Sequence, residues 1–194
     1  GVFPYYFAGL APATYWWMGV VGAIGLFLSI VLHEFGHSLV ARQFGIPIKE
    51  ITLFIFGGVA DMEEEPPSAK SEFVMAIAGP ATSVALAIAF FLLYTFGTMG
   101  DGVSPFFGVI AYLAWLNILL AIFNMIPAFP LDGGCVLRSI LWGWTQDLRW
   151  ATRVASGTGT VLGLALSALG ILAFFSGNVI GGVWWIMIGV FIVG

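Results

Sequence analysis

Apolar residues fall in five long runs, approximately Tyr15 to Ala41, Phe73 to Phe96, Phe106 to Phe123, Val154 to Phe175 and Val179 to Val193, and the segments between them hold most of the charge and proline. A helix needs about 20 apolar residues to cross a hydrocarbon core. The pattern therefore predicts an all-α polytopic membrane protein with five membrane-crossing helices, the last of them short. Residues Gly1 to Leu10 are also apolar and aromatic but break at Pro12, and they carry neither an initiator Met nor the basic n-region of a signal peptide. They read as the remnant of a sixth, earlier span, so residues 1–194 are expected to form a single membrane domain. One stretch departs from the helical pattern. Ile51 to Phe56 is β-branched and aromatic, too short to span, and followed by Gly57 and Gly58, which predicts a strand in a membrane-embedded β-hairpin or re-entrant segment.

Composition agrees with a bilayer as the solvent. Hydrophobic residues make up 60% of the chain and charged residues 8%, with a mean hydropathy of +1.04, far outside the soluble range. A single cysteine, Cys135, excludes an internal disulfide. The net charge of −4 arises partly from one acidic loop and points to no nucleic-acid partner. All six basic residues fall on one side under the expected layout: Arg42, Lys49 and Lys70 after the first full span, and Arg138, Arg149 and Arg153 between the third and fourth. The positive-inside rule makes that side cytoplasmic.

Against this background, His33-Glu34-Phe35-Gly36-His37 stands out, because it puts the chain's only two histidines and a glutamate inside an apolar run. Ionisable groups are expensive within a membrane and mark function by default. On a helix, positions i and i+4 share a face, so His33 and His37 can grip one cation while Glu34 points toward a metal-bound water. A chance string on a solvated helix does not suit so apolar a segment, and a satisfied core histidine accounts for one ring better than for two. A catalytic zinc usually takes three protein ligands, so one is missing. Asp132, after the Pro127 and Pro130 breaks, is the strongest candidate, although a turn-forming residue before Gly133-Gly134 is the plain alternative. Glu63, Glu64 and Glu65 read as a solvated charge run, Asp101 lies on the opposite side, and Cys135 reads as a small buried hydrophobe more readily than as a soft ligand.

Taken together, these residues resemble the site-2 proteases, the intramembrane zinc metalloproteases. The resemblance rests on His33 to Ser38, on Phe56-Gly57-Gly58-Val59-Ala60, on Ala78-Gly79-Pro80, and on Asn124-x-x-Pro127 leading into Leu131-Asp132-Gly133-Gly134. It runs in the family's order from about Tyr15 to Leu141. It implies that His33, His37 and Asp132 are zinc ligands, that Glu34 is general base and later proton donor, and that Asn124 holds substrate near the metal. It also implies a prokaryotic cell-membrane protein of the compact branch, without a PDZ insertion. Some compact members continue into a cytoplasmic CBS pair, a possible regulatory partner beyond this chain. Where relatives often carry Arg after Leu-Asp-Gly-Gly, this chain has Cys135.

The expected function is thus an intramembrane zinc endopeptidase acting on transmembrane protein substrates near the cytoplasmic face. A substrate helix must unwind, because its amides are bonded within the helix. An exposed edge at Ile51 to Phe56, with Thr52, Phe54, Gly57 and Gly58 as contact positions, would pair with the extended strand; a hairpin that only packs under the helices is equally compatible. Gly79-Pro80 and the glycines Gly157, Gly159 and Gly163 suggest kinking and close helix contacts. A metal transporter using the same His/His/Asp set is the alternative, and a silent scaffold would not need Glu34.

Overall fold

The computed structural model describes residues 3, 7, 9–46, 48–54, 57–62, 66–99 and 104–193, with the backbone alone for 48–54 and 57–62. Among the described residues the elements run α1 (Pro12–Gln43), β1 (Ile48–Phe54), β2 (Gly57–Met62), α2 (Ala69–Gly97), α3 (Pro105–Asn124), α4 (Asp132–Thr145), α5 (Leu148–Phe175) and α6 (Val179–Val193).

The helix ends follow local chemistry. Pro12 opens α1, where its fixed φ suits the first turn and its missing N–H costs nothing. Gly45, at φ +78°, closes it: the amides of Phe44 and Gly45 donate to Ala41 and Arg42. Ser68 and Ser71 cap α2 reciprocally, each hydroxyl accepting the other's backbone N–H at 3.0–3.1 Å. The Asp147 side chain accepts the Trp150 amide to start α5. α4 ends on Gln146 in the left-handed region, φ 59°.

Among the described residues four helices, α1, α2, α3 and α5, are long and apolar enough to cross a membrane. The final apolar run becomes α6, which at 15 residues is shorter than the usual span. α5 begins at Leu148, six residues before the apolar run, because a helix continues through Arg149 and Arg153 where hydropathy does not. The segment between the third and fourth runs holds α4, a helix that the hydropathy pattern does not mark.

Packing divides the chain into two compact units. In the unit formed by residues 1–63 and 78–122, Phe3, Met18, Val109 and Leu113 are buried together with Phe7, Leu10, Tyr15 and Phe90 around them. Deeper in the same unit Asn117 Nδ2 donates to Ser29 Oγ at 3.0 Å and to the Leu113 carbonyl, so α3 and α1 are pinned by a buried polar pair. The hairpin pairs antiparallel from Phe54 with Gly57 to Ile48 with Met62, with an irregularity between Ile48 and Glu50, and lies against α1. In the unit formed by residues 64–77 and 123–194, α5 and α6 cross through glycines. A Cβ on Gly163 would fall 2.6 Å from the Gly189 carbonyl, and one on Gly182 would fall 2.7 Å from that of Gly170. Such backbone approach is how helices associate where apolar burial offers no gain. Outward faces carry Val161, Phe175 and Ile180 exposed, as lipid-facing surface should.

Candidate metal centre

α1 brings His33, Glu34 and His37 onto about one turn of a continuous helix, with His33 and Glu34 buried and His37 half-buried. The two imidazoles meet edge to face, ring centroids 5.0 Å apart. Their Nε2 atoms approach to 3.3 Å. A tetrahedral zinc with nitrogens at about 2.0–2.1 Å separates any two of them by about 3.3–3.4 Å, so the observed spacing is the edge of such a tetrahedron. The donor chemistry fits zinc as well, imidazole and carboxylate being among its usual ligands.

The neighbouring helix completes the histidine pair. Ser83 of α2, fully buried, has its Oγ 2.9 Å from His33 Nδ1. In the tautomer whose Nδ1–H donates to that hydroxyl, Nε2 keeps its lone pair for a metal. Gly79 lies against the donor atoms themselves: a Cβ there would come within 2.1 Å of His37 Nε2 and 2.5 Å of His33 Nε2. Gly36, one of the two residues between Glu34 and His37, allows the helices to approach, since its Cβ would meet Thr82 Oγ1 at 2.3 Å and the Ala78 carbonyl at 3.0 Å. Gly79, read from sequence as a packing residue, therefore also clears the space in front of both imidazoles. Ser83 carried no signal in the sequence, because a serine in an apolar helix is common and only its partner identifies it.

Asp132 is the first residue of α4, following Leu131 at the N-cap, and is half-buried. Asn124 is the last residue of α3 and is buried. Thr52 and Phe54 lie on β1; Gly57 and Gly58 on β2 pair with Phe54 and Leu53. The side chains of Thr52 and Phe54, and residues Phe56, Glu63, Glu64, Glu65 and Asp101, lie outside the described residues. Cys135 is half-buried on α4, where burial pushes its thiol up to about 12, only partly offset by Arg138.

Three comparisons with known proteins bear on this arrangement. The pattern of Peptidase family M50 matches residues 21–103 and 102–168. A Synechocystis protein named as a zinc metalloprotease is 42% identical over 186 residues, covering 96% of this chain and 48% of its own length. A zinc metalloprotease of Methanocaldococcus jannaschii is 38% identical over 151 residues, covering 76% of this chain and 42% of its own. The chain spans about half the length of the curated relatives it matches. Among solved structures, the site-2 protease from Methanocaldococcus jannaschii superposes with a TM-score of 0.67 at 30% identity, over 94% of this chain and 88% of that one. The names attach this sequence pattern to proteolysis rather than to metal transport.

Proposed function

The chain belongs to Peptidase family M50, the family of the site-2 proteases, and on that premise we propose that it is the protease domain of an intramembrane zinc endopeptidase that cuts transmembrane protein substrates near the cytoplasmic face. The observation that carries the reading is the 3.3 Å approach of the two Nε2 atoms, with Ser83 on the far nitrogen of His33. Two imidazole nitrogens turned toward each other at that spacing in an apolar helix suit one shared cation.

In this reading His33, His37 and Asp132 hold the metal. A zinc ion there supplies a Lewis acid for the scissile carbonyl and lowers the pKa of water from 15.7 toward about 7. Glu34 takes a proton from the attacking water at a carboxylate oxygen and returns it to the amine nitrogen as the peptide C–N bond breaks. Ser83 keeps the His33 ring in one tautomer and one orientation throughout. Asn124 donates to or accepts from the substrate backbone beside the site. The substrate, unwound from its helix, pairs its main chain with the edge of β1 not used by β2, with Thr52 and Phe54 facing the strand and Gly57 and Gly58 closing the hairpin.

Orientation follows from charge. Arg42 ends α1, Lys70 opens α2, and Arg138, Arg149 and Arg153 lie on α4 and the start of α5, so alternating spans put all of them at one face, the cytoplasmic one of a prokaryotic cell membrane. His37 is six residues, roughly 9 Å, from the end of α1 at that face, a depth that water reaches. A C-terminal regulatory domain of the CBS type is a compatible partner beyond this chain.

The decisive experiment pairs Glu34→Gln with zinc analysis on the purified protein. Loss of the base should cut proteolysis of a transmembrane substrate by about 10²–10⁴-fold while one zinc per chain remains. Equal loss of zinc and activity would make Glu34 a ligand or structural partner and overturn its assignment as base.

A further inference from the structure

The segment that launches α4 is gripped from two sides, and neither grip belongs to the motif itself. On one side stands α5. Gly159 is buried, and a Cβ there would lie 3.0 Å from the Phe129 carbonyl oxygen and 3.1 Å from the Phe129 nitrogen. Beside it, the Thr158 hydroxyl, which bonds within its own helix to Ala155 at 2.7 Å, also reaches the Pro127 carbonyl at 3.0 Å. On the other side, the Arg138 guanidinium sits 5.2 Å above the centre of the Phe129 ring and is fixed by an ion pair with Glu72 at 2.5 Å, whose side chain is 3% exposed. Phe129 is thus held by its backbone in a notch of α5 and by its ring under a charge-paired arginine.

Two residues, Pro130 and Leu131, separate Phe129 from Asp132. Between them the chain has little slack: Leu131 N–H donates to the Ala128 carbonyl and Gly134 N–H to that of Leu131, both at 2.9 Å, and Ala128 is fully buried. A displacement of Phe129 therefore passes to the first turn of α4 rather than being absorbed by a loop. Close packing transmits such shifts because neighbours cannot be compressed.

We propose that Gly159, with Thr158 beside it, is a positioning residue for the metal site: it receives the Ala128–Phe129 backbone in a side-chain-free notch of α5 and so sets where the carboxylate of Asp132 is delivered. The inference rests on the reading of Asp132 as the third ligand. It assigns a purpose to one glycine in a run that otherwise looks like general small-residue packing. Gly157, two residues earlier on the same helix, has nothing within 4 Å of its would-be Cβ.

That contrast supplies the test. In the full chain in detergent, Gly159→Ala should weaken zinc, measured by chelator competition, by about 10–100-fold, the range typical of residues that orient metal ligands, and should shift the visible absorption of the cobalt(II)-loaded protein. Gly157→Ala should change neither. Thr158→Val, which removes one hydroxyl with almost no change of shape, should shift the cobalt spectrum in the same direction by a smaller amount, and it decides the matter alone if Gly159→Ala does not fold. Wild-type zinc affinity and cobalt spectrum in both Gly159→Ala and Thr158→Val would overturn the proposal. Asp132→Asn separates the two readings. If it loosens the metal while the α5 variants do not, Asp132 is a ligand and the notch is only packing; if it leaves affinity and spectrum unchanged, the ligand assignment fails and the inference falls with it.

Discussion

Ser83, Gly79 and Cys135 show how much a single residue decides in a low-dielectric environment. Ser83 Oγ is the hydrogen-bond partner of His33 Nδ1 in a fully buried setting, so Ser83→Ala should weaken zinc by about 10–100-fold with the helices intact, read by chelator competition and circular dichroism. Gly79→Ala should be harsher. Its methyl would enter the space of both Nε2 atoms, and zinc content of the purified variant should drop to background. Cys135 tests burial instead of chemistry. Its thiol, pushed from the ordinary 9.0 to about 12, stays protonated in the folded protein while the unfolded thiol ionises first. The stability this group contributes is therefore complete below pH 9 and is lost as the pH rises toward 12. Iodoacetamide at pH 9 should label Cys135 much more slowly in native than in denatured protein; equal rates would mean the thiol is open to solvent.

At the scale of elements, the crossing of α1 and α2 is what turns a motif into a site. Gly36 and Gly79 remove the two side chains that would hold the helices apart, and Ser83 sits one turn beyond Gly79 on α2. The hairpin offers a second element-level test. β1 pairs with β2 alone among the described residues, so one edge of β1 is free for the substrate strand that we propose. Proline at Thr52 or Phe54 removes one main-chain donor. Where that donor faces the free edge, cleavage should fall by an order of magnitude or more with zinc content unchanged. Unaltered cleavage in both variants of a folded protein would mean that substrate is held between helices. α4 and the Glu72–Arg138 pair show why part of this level escaped the sequence. α4 begins Asp132-Gly133-Gly134, a poor helix start by propensity, and it forms because the glycines fit against the carbonyls of Met125, Ile126 and Ala128. Glu72 looks like a solvated charge at the edge of an apolar run, yet its arginine is 66 residues away.

For the molecule as a whole, the ligand set we propose joins residues nearly 100 positions apart in sequence and would couple metal binding to folding. Any species that binds the native state alone stabilises it by RT ln(1 + [L]/Kd), about 2.7 kcal/mol at 100 Kd. Removing zinc with a chelator should therefore lower the Tm of the detergent-solubilised protein and stop cleavage, and re-adding zinc should restore both. His37→Ala should lack that zinc-dependent rise in Tm. A rise of the same size in His37→Ala would place the stabilising zinc elsewhere. The four helices long enough to span account for the strong hydropathy of the chain. α6, at 15 residues, joins α5 through backbone contact at glycines.

The sequence by itself determined the apolar solvent, four of the five expected spanning helices and the shared helical face of His33 and His37, because each is local: hydropathy is a property of a window, and the i, i+4 spacing belongs to one helix. It also singled out Asp132, since a zinc site with two histidines needs a third donor of that kind. What only the tertiary structure decided concerns partners distant in sequence. Ser83 on His33, Gly79 in front of the imidazoles, Arg138 over Phe129 and the Gly159 notch all depend on which residues two helices bring face to face. Periodicity along one segment says which side of a helix is polar or small. It carries no information about what the other helix presents there, and that is set by packing.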